Sequence, residues 1–354
     1  MKVLVVGSGG REHALVWKLA QSERVEQIFV APGNAGTAVS ATNIPIQAND
    51  VPKLVQFAQE NNIGLTVIGP EVPLAAGVVD TFWAAGLTIF GPTQAAARLE
   101  SSKAFAKAFM VKHGIPTAAA GTFTNYDDAL TYVEAQHTAP GLVIKAGGLA
   151  AGKGVIICDD VAQAKTALQQ IMVDRTFGSA GDEVVIEERL SGPEVSLLAF
   201  CDGKTAVPML PARDHKRVYD NDKGPNTGGM GAFAPPRDVN QALIDEIMST
   251  VIQPTIDGMA ANGTPYAGVL YAGIMLTPDG PKVLEFNCRF GDPETQVILP
   301  MLDSDLADIM LACIAGRLQP EMVQRHDGGC ATIVMASPGY PGSYPKGLPI
   351  TGLD

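Results

Sequence analysis

The sequence predicts an α/β fold followed by α+β structure: a parallel-sheet amino-terminal domain, then a larger body carrying a small lid. Three observations lead there. The first hundred residues alternate short β-rich runs with helical periodicity, the pattern of a parallel sheet with crossover helices. Two glycine-rich stretches, Gly147 to Gly154 and Gly224 to Gly231, stand beside strand-like runs rather than opening helices. Finally, 354 residues with 46% apolar and 18% charged side chains exceed one ordinary core and suggest about two or three domains.

In the amino-terminal part, strands are expected at Val3 to Val6, Gln27 to Ala31, Leu65 to Ile68 and Leu87 to Phe90. A helix over Arg11 to Gln21 follows the first strand. Asp50 can cap another, with Pro52 in its first turn and Leu54, Val55 and Ala58 toward the sheet. The reading is four strands joined by three crossover helices. After Gly91-Pro92 the pair Ser101-Ser102 caps a helix that begins at Lys103 and is stopped by Gly114 and Pro116. Residues 121–195 read as an α+β lid whose strands are separated by one helical stretch, Asp160 to Met172. Strands return at Glu194 to Phe200, Gly268 to Leu276 and Lys282 to Phe286, and periodic helices end near Arg317. The expected domains are therefore 1–102, 103–325 with the lid inside it, and 326–354 as the start of a further domain.

A net charge of −12 argues against a nucleic-acid partner, since neutralising phosphates needs a basic surplus. No apolar run approaches the roughly 18 residues of a membrane span, and Met1 to Gly7 is too short for a signal sequence, so a cytoplasmic protein without a membrane partner is expected. The five cysteines are scattered and form no C-x-x-C pair, which indicates neither a disulfide framework nor a zinc site. Oligomeric state is left open, with a monomer as the default.

Four motifs carry chemistry. Gly7-Ser8-Gly9-Gly10-Arg11-Glu12 follows a strand and opens a helix, where backbone N–H groups can hold an anion. It is a poor dinucleotide fingerprint: Glu12 stands at the third glycine position, and Val30-Ala31-Pro32 ends the second strand without an acid for a ribose. Gly147 to Gly154, with Gly148, Gly152, Lys153 and Gly154, nearly spells a P-loop, but Gly154 replaces the magnesium-binding hydroxyl. The flanking runs Leu142 to Lys145 and Val155 to Cys158 make it a hairpin instead, able to close over phosphates; an ordinary flexible hairpin is the plain alternative. On the strand Leu284-Glu285-Phe286-Asn287, the period of two puts Glu285 and Asn287 on one face, a spacing of oxygen ligands suited to Mg²⁺. Arg213-Asp214-His215-Lys216-Arg217 and the following Gly224 to Gly231 suit an anionic small molecule, against the usual reading of a charge run as solvated surface.

Taken in order, these segments resemble the ATP-grasp superfamily and, within it, the phosphoribosylamine–glycine ligases. The likeness runs through the whole chain. It rests on Gly7 to Ala14, Gly69-Pro70-Glu71, Lys145 to Val155, Asp214 to Arg217, Gly224 to Ala232 and Glu285 to Glu294. The resemblance implies a pre-ATP-grasp domain, an ATP-grasp body with a mobile lid, and a partial carboxy-terminal domain opening near Gly339 to Gly347. It also implies that ATP phosphorylates the carboxylate of glycine and that 5-phosphoribosylamine then attacks the glycyl phosphate.

By position, the resemblance gives Lys103 and Lys145 to the ATP phosphates, under the hairpin with Gly148, Gly152, Lys153 and Gly154. Glu187, Glu188 and Leu190 would meet the adenine and Glu194 the ribose. Glu285 and Asn287 would hold Mg²⁺, with Mn²⁺ as an alternative. Arg289, Lys216 and Asp214 would be catalytic, Arg289 also facing substrate. Asn226, Thr227 and Gly229 would line the acceptor and glycine side, and Gly9, Gly10 and Glu71 the phosphoribosyl wall. The chain departs from the family at Gly147, where an acid is usual, so the hairpin is expected to be more mobile or differently anchored. Tyr271 to Met275 offers no third metal carboxylate. The rivals are a carboxylase acting through carboxyphosphate, a dinucleotide oxidoreductase and a non-catalytic nucleotide sensor.

Overall fold

The computed structural model describes residues 1–136, 141–150, 153–221 and 223–352. Five parallel strands form the amino-terminal sheet: β1 (Lys2–Gly7), β2 (Gln27–Pro32), β3 (Thr42–Asn43), β4 (Ile63–Ile68) and β5 (Ile89–Phe90), in the order β3-β2-β1-β4-β5. Val3, Leu4, Val5 and Val6 are wholly buried, as a central strand covered on both faces requires. The expected four strands are present; β3 is additional, and its two residues are too few to register as a period. Helices α1 (Gly10–Leu19), α2 (Val51–Glu60), α3 (Glu71–Ala75) and α4 (Val78–Ala84) connect them, and Asp50 caps α2 by accepting from the Lys53 amide.

After the short α5 (Arg98–Ser101), helix α6 (Lys103–Lys112) starts where Ser102 accepts from the Phe105 amide. A second sheet, ordered β6-β9-β7-β8, follows: β6 (Ala120–Phe123), β7 (Leu142–Ala146), β8 (Val155–Cys158) and β9 (Val184–Glu188). Two helices cover it, α7 (Tyr126–Ala135) and α8 (Val161–Leu168), the latter continued by a π turn to Val173. The sequence pattern predicts only the second of them. The missed signal is local: Asn125 caps α7 through the Asp127 and Asp128 amides, and Ala129 and Val133 bury one face four residues apart. This sheet and its helices close around their own core, with Ile144, Leu168, Ile171 and Ile186 at its centre.

The body sheet is antiparallel, ordered β11-β10-β16-β17: β10 (Glu194–Asp202), β11 (Ala206–Pro208), β16 (Ala267–Thr277) and β17 (Gly280–Asn287). Between them, β12 (Arg213–Asp214), β13 (Arg217–Tyr219), β14 (Lys223–Asn226) and β15 (Gly231–Ala234) precede α9 (Gln241–Ile247) and α10 (Gln253–Ala261). Part of the expected loop at Gly224 to Gly231 is thus strand, because β14 pairs with β13. Helices α11 (Thr295–Ile298) and α12 (Leu306–Ile314) follow, and β18 (Cys330–Ile333) joins β15 and β12 in a three-stranded sheet. One core unites the amino-terminal sheet with the body: Leu15, Val16 and Leu19 of α1 belong to the same buried cluster as Phe200, Phe290, Ile309 and Met310.

Candidate active site

The strand β17, the loop after it, the β7–β8 hairpin and the glycine-rich turn before α1 converge on one cleft. Glu285 and Asn287 lie on β17 with Phe286 buried between them, as the period of two requires. Across the ladder Glu285 faces Gly273 and Asn287 faces Tyr271, so β16 supplies no carboxylate beside them. Among the described residues Glu285 has no hydrogen-bond or ion-pair partner, and no group of three or more His, Cys, Asp or Glu is placed to hold a metal. Burial pushes its carboxyl up, but Lys216, Lys145, Lys103 and Arg289 together outweigh burial and hold it below the usual range.

Two glutamates grip Arg289. Its Nε is 3.2 Å from Glu71 and its Nη2 3.3 Å from Glu100, while Nη2 also donates to Asn287 Oδ1 at 3.1 Å and Nη1 to the Phe290 carbonyl at 3.1 Å. Most of the guanidinium is therefore engaged within the protein, and Nη1 keeps one N–H for a ligand. The carboxylate of Glu71, expected on the phosphoribosyl wall, pairs with Arg289. Burial pushes Glu71 up, and Arg289 and Arg11 overcome this to lower it. Glu100 was not anticipated; it also accepts from the Cys288 amide at 2.7 Å, and burial leaves its carboxyl raised despite Arg289. Nothing in the local pattern around Glu100 announces a partner 189 positions away.

A lysine cluster faces β17. Lys145 contacts Glu187 at 2.7 Å and donates to the Leu284 carbonyl at 2.9 Å. Lys107 contacts the other Glu187 oxygen at 2.8 Å. Lys103 donates through Nζ to the Gly148 carbonyl at 3.0 Å and through its amide to the Gly147 carbonyl at 2.8 Å. Desolvation lowers both Lys103 and Lys107, with Glu285 and Glu187 respectively pulling back. Glu187 is only 4% exposed, and its carboxylate is turned to Lys107 and Lys145. Glu188 accepts from the Ala119 amide at 3.0 Å and lies 3.7 Å from Lys282, and Leu190 is half-buried in the turn after β9.

The hairpin expectation holds in register, Leu142 to Lys145 pairing with Cys158 to Val155. Its amides are less free than expected: Gly147 N donates to the Glu183 carbonyl at 2.8 Å and Gly148 N to the Ala180 carbonyl at 3.2 Å. Glycine at 147 follows from the same contact. A Cβ there would lie 3.1 Å from the Glu183 carbonyl oxygen and 3.3 Å from its carboxylate, so an acid would meet an acid. Lys153 is exposed and Gly154 buried, while Gly152 lies outside the described residues.

The basic run does not form one basic patch. Arg213 donates to the Glu194 carbonyl at 2.6 Å and pairs with Asp238 at 2.8 Å, and Arg217 donates to the Gly224 carbonyl at 2.7 Å. Only Lys216 enters the cleft, 3.2 Å from Glu194 and 3.9 Å from Asp214. Burial, then Asp214, Glu194 and Glu285, act on Lys216, and the three carboxylates win and raise it. Asp214 is pushed up to about 6 by burial, against the pull of Lys216 and with Glu294 and Glu194 adding repulsion. Glu294, 2% exposed, accepts from the Tyr271 hydroxyl at 2.8 Å and the Ser196 hydroxyl at 3.3 Å. The Thr227 hydroxyl donates to the Lys216 carbonyl at 2.8 Å, Asn226 is exposed, and a Cβ on Gly229 (φ +121°) would lie 2.5 Å from Pro293.

Glu12 explains the turn before α1. Its carboxylate accepts from the Gly9 amide at 2.5 Å and from Arg11 Nε at 2.7 Å, and a Cβ on Gly69 would come within 1.8 Å of it. Glu12 thus packs against Gly7 and Gly69 where a dinucleotide turn uses its third glycine for close helix–strand packing, which counts against the oxidoreductase. Gly9 and Gly10 lie against Asp292 and Gln296: Cβ atoms there would be 3.0 Å and 2.8 Å from them. The Arg11 guanidinium donates to the Phe290 carbonyl at 3.2 Å, closing the contact between the amino-terminal turn and the loop after β17.

Comparison with known proteins gives the family. Residues 1–100 match the family model described as "Phosphoribosylglycinamide synthetase, N domain", and residues 101–295 match "Phosphoribosylglycinamide synthetase, ATP-grasp (A) domain". The phosphoribosylamine–glycine ligase of Pasteurella multocida is 54% identical over 357 aligned positions, covering 100% of this chain and 83% of that protein. The trifunctional purine biosynthetic protein adenosine-3 of Gallus gallus is 57% identical over 99% of this chain, which spans only 35% of its length. The crystal structure of phosphoribosylamine–glycine ligase from Thermotoga maritima superposes with a TM-score of 0.84 at 34% identity, over 100% of this chain and 86% of that one. A biotin carboxylase domain from Hydrogenobacter thermophilus, at 17% identity and a TM-score of 0.72 over 93% of this chain and 73% of that one, shares the fold. By sequence and by fold, the chain belongs to the phosphoribosylglycinamide synthetase family of ATP-grasp proteins.

Proposed function

We propose that the chain is an ATP-dependent carbon–nitrogen ligase of purine biosynthesis, joining glycine to 5-phosphoribosylamine in the cytoplasm. ATP phosphorylates the glycine carboxylate, the amine attacks the glycyl phosphate, and glycinamide ribonucleotide, ADP and phosphate leave. One observation carries the reading: Glu285, a carboxylate without a hydrogen-bond or ion-pair partner among the described residues, lies in the field of Lys216, Lys145, Lys103 and Arg289, which hold its carboxyl below the usual range. Such a field suits a site that takes a divalent cation together with polyanionic phosphates.

Glu285 fits Mg²⁺ as an oxygen donor free of protein hydrogen bonds, and Asn287 fits as a second whose oxygen already accepts from Arg289 and keeps one lone pair. Bound there, Mg²⁺, or Mn²⁺ in its place, supplies charge neutralisation on the phosphate oxygens. The chain's own residues do the rest. Lys103 and Lys145 hold phosphates beneath the hairpin of Gly148, Gly152, Lys153 and Gly154. Glu188 and Leu190 border the adenine, joined by the backbone of Glu187, and Glu194 borders the ribose.

Arg289 offers its remaining Nη1 hydrogen to the glycine carboxylate and later to the acyl phosphate, where a fixed cation favours the developing charge. Asp214, beside Lys216, takes the proton that the attacking amine loses. Asn226, Thr227 and Gly229 line the acceptor side, and Gly9, Gly10 and Glu71 the phosphoribosyl side. In domain terms, residues 1–102 form that outer wall, 103–325 the ATP-grasp body, and the part of it over 121–195 a lid that closes on the nucleotide. The test is ADP release with glycine, 5-phosphoribosylamine and Mg²⁺ each omitted in turn. Dependence on all three is expected; release that needs bicarbonate instead would transfer the chain to the carboxylases.

A further inference from the structure

Lys145 is held from behind by Glu187, whose buried carboxylate is shared with a second lysine. An ammonium has three N–H donors. Two of those on Lys145 go to Glu187 at 2.7 Å and to the Leu284 carbonyl at 2.9 Å, which leaves one and sets its direction. Lys145 and Glu187 are diagonal neighbours on one face of the β7–β9 ladder, Lys145 pairing with Val185 and Val143 with Glu187. The second Glu187 oxygen goes to Lys107 on α6 at 2.8 Å. Lys107, 5% exposed, uses its other donors on the Thr117 hydroxyl at 2.7 Å and the Ala118 carbonyl at 3.1 Å, so none is left for a substrate.

The charges sum in one direction. Two lysines and one carboxylate leave a surplus of one positive charge, available at Lys145. Without Lys107 the remaining pair would be neutral, and Glu187 could draw Lys145 onto both of its oxygens. We propose that Lys107 is a positioning residue for nucleotide binding: it occupies half of the buried Glu187 carboxylate, so that Lys145 keeps a directed N–H and a net charge for phosphate. The link also ties the lid sheet, through β7 and β9, to helix α6 and to β17 of the body. This inference rests on the nucleotide reading of the cleft.

The test is calorimetric titration of MgADP into the full chain, with thermal unfolding followed in parallel. Lys107→Met should weaken MgADP roughly ten- to a hundredfold, the scale of a charge-assisted contact. Lys107→Met combined with Glu187→Gln should return to within a few-fold of wild type, because it restores the positive surplus and leaves Lys145 an amide oxygen to lean on. Should Lys107→Met alone not fold, the double variant decides by itself. A folded Lys107→Met with wild-type affinity, or a double variant that fails to fold or binds weakly, overturns the inference. No binding by the wild-type chain would instead remove the nucleotide reading from under it.

Discussion

Glu285 and Asp214 are carboxylates of the same cleft, both desolvated, and their fates are opposite. Glu285 is held below the ordinary carboxylate range, whereas Asp214 is pushed up to about 6. Burial favours the neutral form in each case, so burial cannot be what separates them. The neighbours are: four cations act on Glu285, while Asp214 has Lys216 on one side and the carboxylates of Glu294 and Glu194 on the other. One group is thereby biased toward its charged form and fit for a cation. Its counterpart, pushed up to about 6, is fit to move a proton.

Removing Glu285 should have the largest effect. Glu285→Ala is expected to cut Mg²⁺-dependent ADP release by about a hundredfold or more, the scale of losing a main electrostatic contributor. A Mg²⁺ titration of the rate checks it, and unchanged metal dependence would take Glu285 out of the site. Next comes one of the cations that set the contrast. Arg289→Lys should lower kcat/KM by roughly ten- to a hundredfold, because a point charge cannot serve Glu71, Glu100, Asn287 and the Phe290 carbonyl at once. Full activity in that variant would contradict the proposed role.

A smaller effect is expected at the group that titrates. If Asp214 acts as its carboxylate, kcat/KM should fall as the pH drops through about 6, and Asp214→Asn should abolish that acid limb while lowering the rate at pH 8. Stability runs the other way. The folded pKa lies above the unfolded one, so the folded state keeps its proton longer and stability declines as pH rises from the ordinary aspartate range through about 6. Denaturant unfolding across that interval should show a shallower decline in Asp214→Asn. Outside the pair, Gly69→Ala should cost about 1–3 kcal/mol by forcing a methyl group onto Glu12, seen as a lowered Tm, and leave the pH limb where it was.

How much of this was legible in one dimension depends on the range over which a residue acts. Period and capping are local. They brought out the parallel sheet, the Asp50 and Ser102 caps, the β7–β8 hairpin and the pairing of Glu285 with Asn287 on one face of β17. The resemblance then brought Lys103, Lys145 and Arg289 to the cleft. Helix α7 has an equally local signal in Asn125, Ala129 and Val133.

Glu100, Lys107 and the true partners of Glu71 and Glu187 had no such signal. Each is defined by a contact across a long span of chain, and a glutamate or lysine on a helix reads the same whether it meets water or a buried ion. The Arg213 to Arg217 run makes the point in reverse. Composition along the chain suggests a cationic patch, and folding scatters it, sending Arg213 to Asp238, Arg217 to the Gly224 carbonyl and Lys216 alone into the cleft. Periodicity suffices for elements because backbone geometry repeats every few residues. Electrostatic character needs the packed chain, since charges act on one another through space and at distances that sequence separation does not record.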